Sequence, residues 1–195
     1  MLAPGYRIDW QTPSGALHAV EPRLDEVASH ARDLAVAYND PRNAPLLGHE
    51  EPISETEVVD HYEAMLDDGA HPFLLYVDGA FVGDADLRHI HDRGAEFAFM
   101  VASPKTQGRG LGTRFAIMVN AYAFQVLGLD QVYASIIPAN VASRRVFEKI
   151  GFTIDPSPRA RGFADQDGDI VMSIDRVTFE GLHVGDLAEI HVAMR

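Results

Sequence analysis

The chain has 195 residues, 47% of them hydrophobic, enough for one sizeable core and too apolar for a disordered segment. Its 29 acidic side chains against 16 Lys and Arg give a formal charge of -13, which disfavours nucleic acid and anionic membrane surfaces as partners. With no cysteine, a disulfide framework, a thiolate metal site and a cysteine nucleophile are all excluded.

No apolar run approaches the roughly 18 residues that span a bilayer, and MLAPGYRIDW lacks a basic segment followed by an apolar one, so a soluble cytoplasmic protein is expected. A first strand is expected at Ala16–Val20; Tyr6 and Trp10 before it carry no reading. Leu24, Val27, Ala28, Ala31, Leu34, Ala35 and Tyr38 then recur at helical spacing. A second helix opens at Ser54, where Ser54 and Glu57 make a capping-box pattern ahead of Val58, Tyr62, Met65 and Leu66. The acidic connection between the helices contains Asp40, Glu50 and Glu51.

The pattern next changes to strands. Phe73–Val77, the turn Asp78-Gly79 and the run from Ala80 read as a β-hairpin, and a turn at His91–Gly94 leads into a third strand, Ala95–Ala102. SPKTQGRGLGTR follows, opening an apolar helix over Thr113–Leu127 that Gly128 closes. Gln131–Ile137 is a Val-, Tyr- and Ile-rich strand, which after a strand and a helix implies a right-handed parallel crossover. Asn140 caps a short helix ending at Gly151, DPSPRARGFADQDG reads as a long loop, and Asp169–Arg176 as a late strand. The tail from Glu180 to Arg195 leaves open a helix at a homodimer contact or a cover for the core.

Alternating glycines ahead of a helix let the backbone approach a ligand closely while amide hydrogens point at it, which suits phosphate. Lys105, Arg109 and Arg114 add local positive charge. A Walker loop is absent, and a dinucleotide fingerprint starting at Gly108 would need glycine where Thr113 stands. Three antiparallel strands before the loop also oppose a dinucleotide fold.

Gln107-Gly108-Arg109-Gly110-Leu111-Gly112 matches QxxGxG. About 28 residues later Asn140-Val141-Ala142-Ser143 runs on to Gly151-Phe152, an NxxS-to-GF pattern. On these motifs, and on their order after a β-meander, the chain resembles the GNAT superfamily of N-acetyltransferases. It is most similar to the branch holding ribosomal-protein N-terminal acetyltransferases and spermidine acetyltransferase. The match extends over about Phe73 to Ile154.

The resemblance implies one α+β (mixed α/β) domain over residues 1–195. Its twisted, mostly antiparallel sheet would have about seven strands, flanked by helices, with a splayed parallel pair. It implies acetyl-CoA as cosubstrate, with pyrophosphate on Gln107, Gly108, Arg109, Gly110, Leu111, Gly112 and Thr113. Pantetheine would lie along Met100 and Val101 with Asn140 opposite.

The acceptor implied is a small-molecule amine or a peptide N-terminus, attacked directly in a ternary complex. Glu96 stands where many members place a carboxylate base, with a solvent-facing strand glutamate as the plain alternative. Many members have a tyrosine acid where this chain has Phe147. Ser143 is the replacement candidate for hydrogen bonding the leaving sulfur, or else it caps its own helix. A noncatalytic acyl-CoA sensor or scaffold is the rival reading.

His89 and His91 share a strand face by spacing and, with Asp86 or Asp92, have the residue types of a metal site. No third ligand stands at a convincing spacing, so they are expected to be hairpin surface residues and no metal is expected.

Overall fold

The computed structural model describes residues 5–47, 51–102 and 110–195. Two strands open the chain, β1 (Tyr6–Thr12) and β2 (Gly15–Val20), followed by α1 (Leu24–Tyr38), the single turn α2 (Ala44–Leu47) and α3 (Glu55–Asp67). A meander of β3 (His71–Val77), β4 (Ala80–His91) and β5 (Gly94–Val101) leads to α4 (Leu111–Gln125) and β6 (Gln131–Ile136). Then come α5 (Val141–Ile150), β7 (Thr153–Ile154), α6 (Pro158–Arg161), β8 (Ile170–Asp175), α7 (Arg176–Leu182), α8 (Val184–Leu187) and β9 (Ile190–Met194).

Among the described residues one sheet holds nine strands in the order β7-β8-β6-β5-β4-β3-β2-β1-β9. Among the described strands only β5 and β6 are parallel neighbours, joined through α4 as the crossover rule requires. The mixed sheet with helices on both faces is as expected, but it is larger than about seven strands. Tyr6, Ile8, Trp10 and Thr12 alternate with polar residues and form β1, which the sequence reading left blank. The tail ends as a strand: β9 pairs with β1, placing His191 opposite Asp9 and Ile190 opposite Trp10.

Both hairpin turns of the meander need positive φ at two positions. Asp78-Gly79 adopts φ of 50° and 80°, and Asp92-Arg93 adopts 48° and 59°, the geometry that matches the twist of the flanking strands. Helix α4 is buried on nearly every side from Phe115 to Phe124, which explains its unbroken apolar run. It packs with α5 on the sheet face that carries Leu17, Phe73, Leu75, Leu87, Ala95 and Phe97.

On the opposite face, α1 and α3 cover Leu74 and Met100. Farther along that face Tyr133, Ala160, Phe163 and Val171 form a separate apolar cluster beneath α6. Between the two clusters the sheet surface is polar.

Candidate active site

Two strands part at the centre of the sheet. β5 pairs with β6 through only three rungs, the last joining Glu96 to Tyr133, and beyond it β5 runs on to Val101 paired to β4 alone. Met100 and Val101, opposite Asp84 and Gly83, therefore lie on a strand whose β6-facing side has no strand partner among the described residues. Such an edge has backbone groups to offer an extended amide-containing ligand.

The described part of the glycine turn ends at this opening. Gly110 is the N-cap of α4 with φ 73°, a left-handed conformation that favours glycine. Leu111, Gly112 and Thr113 form the first turn, where amide hydrogens lack intrahelical acceptors. A Cβ on Gly112 would sit 3.1 Å from the Phe99 ring and 3.8 Å from Val146, so β5, α4 and α5 meet at this glycine. Gln107, Gly108 and Arg109 lie outside the described residues.

Asn140 caps α5 by accepting a bond from the Ser143 amide at 3.0 Å. Since Asn140 makes the cap, the half-buried Ser143 hydroxyl is not used for it and has no partner among the described residues. Phe147 is buried edge-on against Phe97, Phe99 and Phe152, so this position is part of the core.

The polar surface on the other face is built from β4 and β5. Asp84, Asp86 and Arg88 alternate along β4 and face Met100, Ala98 and Glu96 of β5. The Tyr38 and Tyr62 hydroxyls both donate to Asp84 Oδ2, the latter at 2.9 Å. Burial nevertheless pushes the Asp84 carboxyl up to about 6.

Glu96 is 0% exposed. Arg88 grips it with Nη2 at 2.9 Å from Oε1 and Nε at 3.2 Å from Oε2, while Nη2 also reaches Asp165 at 2.6 Å. Asp86 lies 3.6 Å from the same guanidinium, and its buried Oδ1 has no hydrogen-bond partner among the described residues. Three carboxylates thus share one cation. Burial raises Glu96 to about 7 and Asp86 to about 6, with Arg88 only partly offsetting it.

His89 completes the cluster with Nδ1 2.9 Å from Glu96 Oε2. His89 and His91 are exposed hairpin residues as expected, but they do not share a regular strand face: His89 lies on the carboxylate, and His91 stacks on Phe163 at 4.5 Å. The solvent-facing alternative for Glu96 is likewise overturned. His89, Glu96 and Asp165 have donor atoms within 4.8 Å of one another, but Arg88 already holds two of the three.

Sequence reasoning missed Tyr38, Tyr62, Asp84, Arg88 and Asp165. The period-two row Asp84, Asp86, Arg88 on a predicted strand was the available signal. Of the acidic connection, Asp40 is tied to Arg42 at 2.7 Å, Glu51 is exposed, and Glu50 lies outside the described residues.

The family model described as "Acetyltransferase (GNAT) domain" matches residues 23–153. The chain belongs to the GNAT acetyltransferases. Among this family's members it is 32% identical over 130 residues to spermidine N(1)-acetyltransferase of Escherichia coli K12, covering 63% of this chain and 69% of that protein. The GNAT fold is seen again in Mycobacterium smegmatis RimJ solved with CoA-disulfide, at TM-score 0.72, 20% identity and coverage of 96% and 97%. Vibrio cholerae spermidine N-acetyltransferase solved with CoA and spermine gives TM-score 0.65 at 22% identity, covering 84% of this chain and 96% of that one. The protein is accordingly an acetyl-CoA-dependent N-acetyltransferase. No helix among the described residues is long and apolar enough to cross a membrane.

Proposed function

We propose that this GNAT enzyme acetylates a primary amine on a cationic small molecule, by direct attack on acetyl-CoA where β5 and β6 part. The observation that carries this is the acidic floor: Asp84, Asp86 and Glu96 line one sheet face, and Asp165 joins Asp86 and Glu96 around the Arg88 guanidinium. A negative, low-dielectric surface concentrates a cationic acceptor and favours its ammonium over neutral competitors. The relatives named as spermidine acetyltransferases fit this charge; a basic peptide N-terminus is the second acceptor class it accommodates.

CoA binds from the other side of the opening in this reading, its pyrophosphate on Gln107 through Thr113 and its pantetheine along Met100 and Val101, with Asn140 opposite. Residues 1–195 act as one catalytic domain, in the cytoplasm. An alkylamine of pKa about 10.4 is neutral in only about one molecule in 2,500 at pH 7, so a proton must be drawn off before attack. Glu96, its carboxyl raised by burial to about 7, supplies negative charge that favours that loss. The amine nitrogen then bonds to the thioester carbon, the carbon–sulfur bond breaks, and the Ser143 hydroxyl donates a hydrogen bond to the leaving sulfur.

Phe147 in place of a tyrosine acid favours a noncatalytic acyl-CoA-binding module as the competing reading. The two separate in a thiol-release assay with acetyl-CoA and a panel of spermidine, an aminoglycoside, a basic peptide and a neutral amine. We expect release with the cationic small molecules and at least tenfold lower kcat/KM for the neutral amine. Tight acetyl-CoA binding with no release from any amine refutes the enzyme reading.

A further inference from the structure

We propose that His89 is the side chain that takes the acceptor's proton, and that Glu96 acts through it as a positioning residue. The inference rests on the acetyl-transfer reading above and names a further catalytic group within that site.

Glu96 cannot meet the acceptor directly. It has no exposed surface, Oε1 is held by Arg88, and Oε2 is held by Arg88 and His89 together. His89, by contrast, has a side chain 55% exposed. Because Nδ1 faces the carboxylate, Nε2 on the far edge of the ring is left outward, and no described residue bonds it. The arrangement is a buried carboxylate holding an imidazole whose second nitrogen is presented to solvent, the pattern in which a carboxylate fixes the tautomer and stabilises the imidazolium.

The backbone is bent to achieve this. Arg88 and His89 are consecutive strand residues, which in a regular strand point to opposite faces, yet both reach one carboxylate. The register shifts between Arg88 and His91, and His89 has φ 50° in the left-handed region. An irregularity of this kind re-aims a side chain.

The rival occupant of this corner, a metal ion on His89, Glu96 and Asp165, meets the Arg88 guanidinium already bridging Glu96 and Asp165. Glu96 from β5, Asp86 and Arg88 from β4, and Asp165 from the segment after α6 are the charged groups around the imidazole. Their net sign is negative.

The acceptor's ammonium gives one proton to His89 Nε2, while Nδ1–H remains on Glu96. The freed amine attacks the thioester carbon, the carbon–nitrogen bond forms, and the carbon–sulfur bond breaks with its electron pair on sulfur. The second amine proton goes to that thiolate, giving the CoA thiol and the amide, and His89 returns its proton to water.

The test uses His89→Ala, Glu96→Gln and the double variant with acetyl-CoA and spermidine near pH 7.5. We expect kcat/KM to fall about 100-fold in each single variant and scarcely further in the double, with acetyl-CoA affinity unchanged and added imidazole restoring part of the His89→Ala loss. Activity of His89→Ala within twofold of the wild type, or fully additive losses, overturns the proposal. An activity-independent readout is the imidazole nitrogen NMR spectrum, in which neutral His89 carries its proton on Nδ1; a proton on Nε2 instead overturns the pair. If the wild-type protein transfers no acetyl group, the acetyl-transfer reading fails on its own, and the tautomer still decides whether Glu96 holds His89.

Discussion

Replacing Arg88 with Met tests the electrostatics of the site through stability. The guanidinium contacts Glu96, whose side chain is 1% exposed, together with Asp165 and Asp86, so its loss leaves two largely buried carboxylates without their cation. Breaking a buried pair costs about 3–5 kcal/mol, and since Arg88 itself is 24% exposed the low end, about 3 kcal/mol near pH 8, is expected.

The sign of the pH dependence follows from the direction of the shifts. Burial raises Glu96 to about 7 and Asp86 to about 6, so the folded state binds these protons more tightly than the unfolded chain. The stabilising effect of that proton uptake is fully present below the ordinary carboxylate values and is lost as pH rises through 6 to 7. At about pH 5 both groups are largely neutral, Arg88 has less charge to balance, and the penalty of its removal falls to about 1 kcal/mol. Urea unfolding of wild type and Arg88→Met at the two pH values measures it. A penalty below ~1 kcal/mol at pH 8, or one equal at both pH values, would mean that Arg88 does not balance these buried carboxylates.

Two further perturbations probe the frame of the site. Gly112→Val places a branched side chain 3.1 Å from Phe99 and is expected to cost about 1–3 kcal/mol while weakening CoA binding. Gly110→Ala meets, among the described residues, only the Arg114 side chain and costs about 1–2 kcal/mol through its φ of 73°, so thermal melts and calorimetry should separate the two. Deleting Ile190–Arg195 uncovers the β1 edge and removes the Arg195 bonds to Glu26, and concentration-dependent association on gel filtration is the expected result.

The sequence was most legible where the signal is local. Ser54 and Glu57 make their capping box as expected, Ser54 Oγ accepting from the Glu57 amide at 3.2 Å and Glu57 accepting from the Ser54 amide at 2.7 Å. The Asn140 cap and the crossover between β5 and β6 were equally readable. β9 was missed because its one partner strand, β1, lies almost the whole chain away, where Trp10 donates to Glu189 at 3.2 Å; β1, in a hairpin with β2, was missed although its alternation was present.

At the site, Glu96 was visible from its place before the glycine turn. His89 was visible only as one of two alternate histidines, because strand periodicity cannot register a residue with φ 50°. Asp165 arrives from a segment read as a loop, 77 residues from Arg88 in the chain. Its role needed the tertiary structure.

The pH dependence of acetyl transfer, measured as kcat/KM with acetyl-CoA and spermidine in wild type and Glu96→Gln, reads the role of the buried carboxylate in the reaction itself. We expect an acetylated amine whose rate of formation in wild type rises through about pH 7 as Glu96 loses its proton, and the loss of that limb in the variant. A chain that binds acetyl-CoA but acetylates no amine at any pH, or a limb that survives unchanged in Glu96→Gln, contradicts it.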